Sequence, residues 1–168
     1  ELYQVNAEAI SEYFPADLVT QKMFEIYSTL FGVSFEKVSD SEASPWATGV
    51  SLYKILDSKT KKLRAYFYAD MFPRDGKYGH YAAFTLIQGR RLPTGAYQVP
   101  VSAIVGNFPA PVGGKPSLLK HTDVETLFHE FGHIMHQTLT TAPYSSLSGS
   151  STVQDFVEAP SQMLENWV

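Results

Sequence analysis

Thr122-Asp-Val-Glu125-Thr-Leu127-Phe128-His129-Glu130-Phe131-Gly132-His133-Ile134-Met135-His136-Gln137 is the stretch on which the reading of this chain turns. Val124, Leu127, Phe128, Phe131, Ile134 and Met135 recur at helical spacing, which predicts a largely buried helix. Thr122 followed by Glu125 predicts a capping box at its start, with acids in the first turn to suit the helix dipole. Residues i and i+4 share a helical face, so His129 and His133 present two imidazoles to one metal ion. Glu130 lies one residue on, where its carboxylate reaches a water on that metal rather than the metal itself. Gly132 costs roughly 1 kcal/mol relative to alanine inside a helix, so its presence predicts close approach of another backbone or of a substrate.

A catalytic zinc takes three protein ligands and keeps one position open for water. Asp and Glu are the usual third ligand once two histidines are in place. The continuation H-x-x-G-x-x-H is excluded, because His136 and Leu139 occupy its last two fixed positions. Acids on the following segment remain: Asp155, Glu158 and Glu165. Glu158 stands 25 residues after His133 and leads into Met163, Leu164 and Trp167, an apolar helical face. Pro160 disfavours the helical region for Ala159, so the second helix begins near Glu158 or kinks there. Spacing alone leaves Asp155 and Glu165 as competing ligands. His136 shares the face of His129 and is read as a buried hydrogen-bonding histidine, since a fourth protein ligand would close the site. Glu125 is read either as a cap or as a partner of a ligating histidine. Gln162 and Glu165 are further candidates to accept the outward N–H of a ligating imidazole. His80 is expected in a turn or lining the cleft, and His121 ahead of the helix cap, away from the metal.

The segment from Pro116-Ser-Leu-Leu-Lys-His121 through Gln137 resembles the thimet oligopeptidase and neurolysin family of zinc metallopeptidases. So do Asp155-Phe-Val-Glu158-Ala-Pro-Ser-Gln-Met-Leu-Glu165-Asn-Trp167 and, upstream, Tyr13-Phe-Pro15. Asp70-Met-Phe-Pro-Arg-Asp-Gly-Lys-Tyr-Gly-His80 and Val105-Gly-Asn107-Phe108 extend the resemblance over nearly the whole chain. The resemblance implies a gluzincin site: one Zn2+ per chain on His129, His133 and Glu158, with Glu130 as catalytic base. It implies short peptides rather than folded proteins as substrates, because family members enclose the site in a deep channel. Family members are also much longer. Their transition-state-stabilising tyrosine and histidine residues and their glycine-rich substrate loop have no counterpart among these positions. Residues 1–168 are therefore expected to be a single metallopeptidase catalytic subdomain, a fragment of a longer oligopeptidase that is weakly active or inactive alone. The remainder of the catalytic domain is its expected partner.

Composition marks an ordinary globular domain: 168 residues, 44% hydrophobic and 14% aromatic, are enough for a real core. No run approaches the roughly 18 apolar residues of a membrane span, and the N-terminal residues carry no signal-peptide pattern. A net charge of −4 argues against a nucleic-acid partner. The absence of cysteine excludes disulfides and thiol catalysis and fits a reducing, cytoplasmic compartment. Helical periodicity covers 7–14 and 17–31, while 46–56 and 63–72 alternate as a hairpin around the turn 57–62. Lys59, Lys61, Lys62 and Arg64 mark that turn as solvated. Ala82–Gln88 and Val99–Phe108 are further strands; 109–116 is a Pro/Gly loop and 142–151 a serine-rich one. The order predicts an α+β, zincin-like subdomain: N-terminal helices, a small mostly antiparallel sheet, the metal helix and a C-terminal glutamate-bearing helix. The strand through Val101–Phe108 is the candidate edge for an extended peptide. Two other readings compete. A non-catalytic, zinc-stabilised binding or structural domain has no use for the base Glu130, and a domain with incidental histidines would hold no stoichiometric metal.

Overall fold

In the computed structural model, which describes residues 6–168, the Asn6 side chain accepts from the N–H groups of Glu8 and Ala9 and starts a short helix α1, Ala7–Ser11. Pro15 then opens α2, Ala16–Phe31, whose buried residues Ala16, Val19, Met23 and Tyr27 form one apolar stripe. Gly32 closes it at φ 64°, its N–H donating to the Ser28 carbonyl, a left-handed cap that glycine adopts without steric cost. Strand β1, Val33–Lys37, follows at once, then a short helix α3, Asp40–Ala43. The expected hairpin is formed by β2, Ser51–Asp57, and β3, Leu63–Asp70. Asp57 closes its turn, one carboxylate oxygen accepting from the N–H groups of Lys59 and Thr60 and from the Thr60 hydroxyl. Next come β4, Ala82–Ile87, the two-residue strands β5, Arg90–Arg91, and β6, Tyr97–Gln98, and β7, Val101–Val105. Helix α4, His121–Thr138, a single 3₁₀ turn at Ser145–Leu147 and α5, Ala159–Glu165, complete the described chain. Among the described residues no helix is long and apolar enough to cross a membrane.

The fold is α+β, with a five-stranded sheet in the order β1-β2-β3-β7-β4. Three of its pairings are antiparallel and one, β3 with β7, is parallel. Four expectations need correction. The first strand of the hairpin starts at Ser51, residues 46–50 being outside it, and β1 adds a strand that was not expected. Helix α1 ends at Ser11, before Pro15 is reached. Helix α4 starts at His121 rather than after Thr122, and the carboxylate of Asp123, not Glu125, accepts the N–H of Lys120 at 2.9 Å. Finally, the strand at Val101–Val105 is interior: β7 is hydrogen-bonded on both sides, by β3 and by β4. The exposed edge near α4 is β4.

Helix α4 packs across β3, β7 and β4, and one aromatic residue organises the contact. Phe131, 1% exposed, lies 5.5 Å from Phe24 and 5.0 Å from Tyr27 of α2, 5.6 Å from Phe35 of β1 and 5.3 Å from Phe67 of β3, ring centre to ring centre. Such edge-on and tilted pairs add about 0.5–1.5 kcal/mol each to the burial of the rings. The Tyr27 hydroxyl, fully buried, donates to the Phe128 carbonyl at 3.0 Å. Phe128 and Phe131 flank His129 and Glu130 in sequence, so the core fixes the rotation of α4 about its axis. The opposite face of that helix is then presented toward α5.

Candidate metal centre

His129 and His133 sit one turn apart on α4, their rings 4.9 Å apart and nearly perpendicular. Glu158 faces them from the N-cap of α5, whose second residue is Pro160. The helix therefore begins after Glu158 rather than kinking there, as proline at the first turn allows. Glu158 Oε2 lies 3.2 Å from His129 Nε2 and 3.0 Å from His133 Nε2. The close approach predicted at Gly132 brings these groups together. A Cβ on Gly132 would stand 2.7 Å from the Ser161 Cα and 3.3 Å from Leu164, so only glycine lets α5 lie this close to α4. Ser161 is fully buried, and its hydroxyl donates to the Glu158 carbonyl and to Glu158 Oε2, both at 2.9 Å. Its part was not read from the sequence, although its place three residues after Glu158 at a helix start carries the signal.

Burial pushes the Glu158 carboxyl up, but the Ser161 hydroxyl and the two histidines outweigh it and hold it below the usual carboxylate range. Burial, assisted by His129, pushes the His133 imidazole down, against the pull of Glu158. Neutral imidazoles and an ionised carboxylate are the protonation states a metal requires. The donor set, two imidazole nitrogens and one carboxylate oxygen, fits a small divalent cation. Tetrahedral ligands at about 2.1 Å stand roughly 3.4 Å apart, close to the separations found here. Glu130, beside this cluster and half-buried, is pushed up chiefly by burial and also by Glu158, while His129 and the Ala83 backbone of β4 draw it partly back. Glu130 thus faces the exposed sheet edge.

The other sequence candidates divide cleanly. Glu165 Oε1 is 2.6 Å from His129 Nδ1, on the side of the ring away from Glu158, so it supports His129 rather than joining the three-residue cluster. Asp155 and Gln162 are exposed and outside that cluster. Glu125 neither caps α4 nor reaches a ligand; its carboxylate lies 3.7 Å from His121 at the surface. His121 is the first residue of α4, its ring edge-on to Phe14 and away from the cluster. His80 lies in the loop before β4, its carbonyl accepting from Asn107. His136 stays out of the cluster as expected, but its Nδ1 is buried with no hydrogen-bond partner among the described residues. Phe156 and the surrounding apolar residues, not a hydrogen bond, define its setting, and burial pushes its imidazole down. A cavity of about 780 Å³ lies elsewhere, between α2 and the sheet, on a floor of Phe24, Phe35, Phe67 and Phe131.

The sequence profile of peptidase family M3 matches residues 1–168. The chain is 44% identical to the thimet-like oligopeptidase of Dictyostelium discoideum over 98% of its own length and 24% of that protein's. It is 42% identical to saccharolysin of Saccharomyces cerevisiae, over 99% of the chain and 24% of the relative. Oligopeptidase A of Escherichia coli is 36% identical over the same shares, 99% and 24%. The chain thus spans about a quarter of the length of these curated relatives.

Proposed function

The chain belongs to peptidase family M3, and from that premise we propose that it carries the catalytic metal centre of a zinc-dependent endopeptidase acting on short peptides. The observation that carries this reading is the meeting of His129 Nε2, His133 Nε2 and Glu158 Oε2 from two helices, with the half-buried carboxyl of Glu130 beside them. Zinc, when bound, supplies a water of lowered pKa and polarises the scissile carbonyl. His129, His133 and Glu158 would hold it. Glu130 accepts the proton of the attacking water and passes it to the departing amine, a task suited to a carboxyl raised from its ordinary range by burial. The peptide lies extended along the free edge of β4, where Ala83 faces Glu130, and adds a strand by main-chain hydrogen bonds.

The chain is, on this reading, one catalytic subdomain of a longer oligopeptidase, and the rest of that protein is its partner; matching relatives four times its length support this. Turnover by residues 1–168 alone is then low. Lack of cysteine supports a cytoplasmic setting.

The test is zinc content and cleavage of a fluorogenic short peptide by the zinc-loaded chain and by Glu130→Gln. The expected variant retains about one zinc per chain and loses cleavage by about 100-fold or more, within reach of general-base contributions. Unchanged cleavage would remove Glu130 from the mechanism.

A further inference from the structure

We propose that Arg90 and Arg91 form a carboxylate-recognising subsite at the far end of the β4 edge, selecting peptides with an acidic side chain on the amino side of the bond cut. The proposal rests on the reading above that a peptide pairs with β4, and it adds what that peptide carries. Helix α4 and β4 advance together. Glu130 stands by the Ala83 backbone, and further along both elements Thr140 stands by Gly89, where a Cβ would lie 3.1 Å from the Thr140 methyl. At about 3.3 Å per residue, Ala83 to Gly89 spans about 20 Å, or about six positions of an extended peptide. There the free edge ends. The Arg91 N–H donates to the Pro143 carbonyl at 2.9 Å, so the connection after α4 closes the edge beside β5. A peptide antiparallel to β4, the commoner pairing, sends its amino-terminal part toward this end.

Of the four arginines in the sequence, Arg64 and Arg74 are paired, with Asp57 and Asp70. Arg90 and Arg91 are exposed, and their guanidinium groups meet no acceptor among the described residues. The connection beside them carries no acid from Leu139 to Gln154. Their backbone, however, is fixed. Arg90 pairs with Gln98 and Arg91 with Tyr97. The Tyr97 hydroxyl donates to the Thr140 carbonyl at 3.2 Å, and Gln98 Nε2 donates to the Gln88 carbonyl at the same distance. A Cβ on Gly89 would stand 2.5 Å from the Tyr97 hydroxyl, so the ribbon and the end of β4 pack closely at this glycine. Two such cations on a fixed ribbon are preorganised for a carboxylate, which a guanidinium holds through two parallel N–H bonds. Neighbouring residues of a strand point to opposite faces, so the pair serves acidic side chains on either face of the peptide.

The test uses the zinc-loaded chain and phosphinic peptides, whose uncleavable phosphinate replaces the scissile amide and fixes the register at the metal centre. Glutamate or glutamine stands about six positions to the amino side of the phosphinate, or as far to its carboxyl side. Dissociation constants are read by calorimetry. The amino-side glutamate peptide is expected to bind about fivefold tighter than its glutamine twin, the upper end for one exposed ion pair. The gain is lost in about 1 M salt, where charges are screened within about 3 Å. Arg90→Gln with Arg91→Gln binds the two peptides equally, and Arg90→Glu with Arg91→Glu prefers lysine at that position. Both arginine side chains are exposed, so these variants keep the melting temperature of the unaltered chain. Three results overturn the proposal and leave the metal site standing: equal affinity for glutamate and glutamine, a gain that survives the double glutamine variant, or a gain only on the carboxyl side. A chain that binds zinc but no phosphinic peptide overturns the edge reading and this proposal with it.

Discussion

Asp70, at the end of β3, is 4% exposed and accepts from four donors. Arg74 grips it through both terminal nitrogens at 2.7 and 2.9 Å, the Trp46 indole N–H reaches it at 3.0 Å, and Lys77 Nζ stands 2.9 Å away. Lys77, its side chain 3% exposed, donates as well to the carbonyls of Asp70, Phe72 and Gly106. One ammonium thereby ties the loop between β3 and β4 to the end of β7, and Asn107 holds the loop's far end through the carbonyls of Tyr78 and His80. Neutralising Asp70 would strand the Lys77 charge in the interior. Asp70→Asn is therefore expected to cost about 3–5 kcal/mol, read from the urea midpoint. A loss below about 0.5 kcal/mol, the range of ordinary surface changes, would show that the cluster is not what holds the loop. The same pair sets a pH dependence. Burial raises the Asp70 carboxyl, but Arg74, Lys77 and Trp46 prevail and hold it below the usual range. Its folded pKa lies below its unfolded one, so the stabilisation is complete above about pH 4 and drains away as pH falls through the folded value. The Asp70→Asn chain should lose less stability on acidification below pH 4 than the unaltered one, and parallel acid limbs would contradict this.

At the scale of elements, the centre depends on how closely α5 lies on α4, and Gly132 sets that distance. The atom nearest a Cβ at this position is the Ser161 Cα, backbone that no rotamer change can move. Gly132→Ala gains about 1 kcal/mol of helix propensity but forces an overlap whose relief typically costs about 1–3 kcal/mol. Because the relief is a shift of α5, Glu158 moves away from the histidines. Far-ultraviolet dichroism is expected to hold or rise while zinc affinity falls by about tenfold, the equivalent of roughly 1.4 kcal/mol. Zinc affinity within twofold of the unaltered chain would show that α5 accommodates the methyl group elsewhere. Gly132 was legible beforehand because a glycine inside an apolar helix has a cost that something must offset. The pair His129 and His133 was legible for the same kind of reason, the 3.6-residue period being a local property. The hairpin β2–β3 declares itself by alternation and by Asp57 at its turn. What the chain did not disclose is set by distant contacts. Strand β1 is five residues long with a mixed burial pattern, and it becomes a strand only because β2 lies beside it. The insertion of β7 between β3 and β4 is a crossover that no local pattern encodes, so the free edge was assigned to the wrong strand. Glu158 was singled out from Asp155 and Glu165 by family resemblance. The place of Glu165 followed only once the start of α5 fixed which residues share its inner face.

Across the whole molecule, the two halves of the centre differ in how firmly they are held. Helix α4 is anchored along its length, with nine buried residues. Helix α5 buries only Ser161 and Leu164, and it is joined to α4 by a long connection whose one regular piece is a single 3₁₀ turn. A short helix with two buried side chains belongs to the low-stability end of a structure and opens more often than the core. Glu158 rides on it, so each opening of α5 also separates Glu158 from His129 and His133. Metal bound by all three residues must therefore act as a clip between a rigid helix and a labile one, and its binding energy appears as stability of α5. With free zinc at 100 times the dissociation constant the closed state gains about 2.7 kcal/mol, which is about a hundredfold fewer openings. Amide hydrogen exchange in α5 should slow by about that factor when zinc is added, while the amides of β2 and β3, which exchange through larger openings, change less. Glu158→Ala should exchange at one rate with or without zinc. If zinc binds at one per chain yet leaves α5 exchange unchanged, the ion is held by α4 alone, and Glu158 is then not its third ligand.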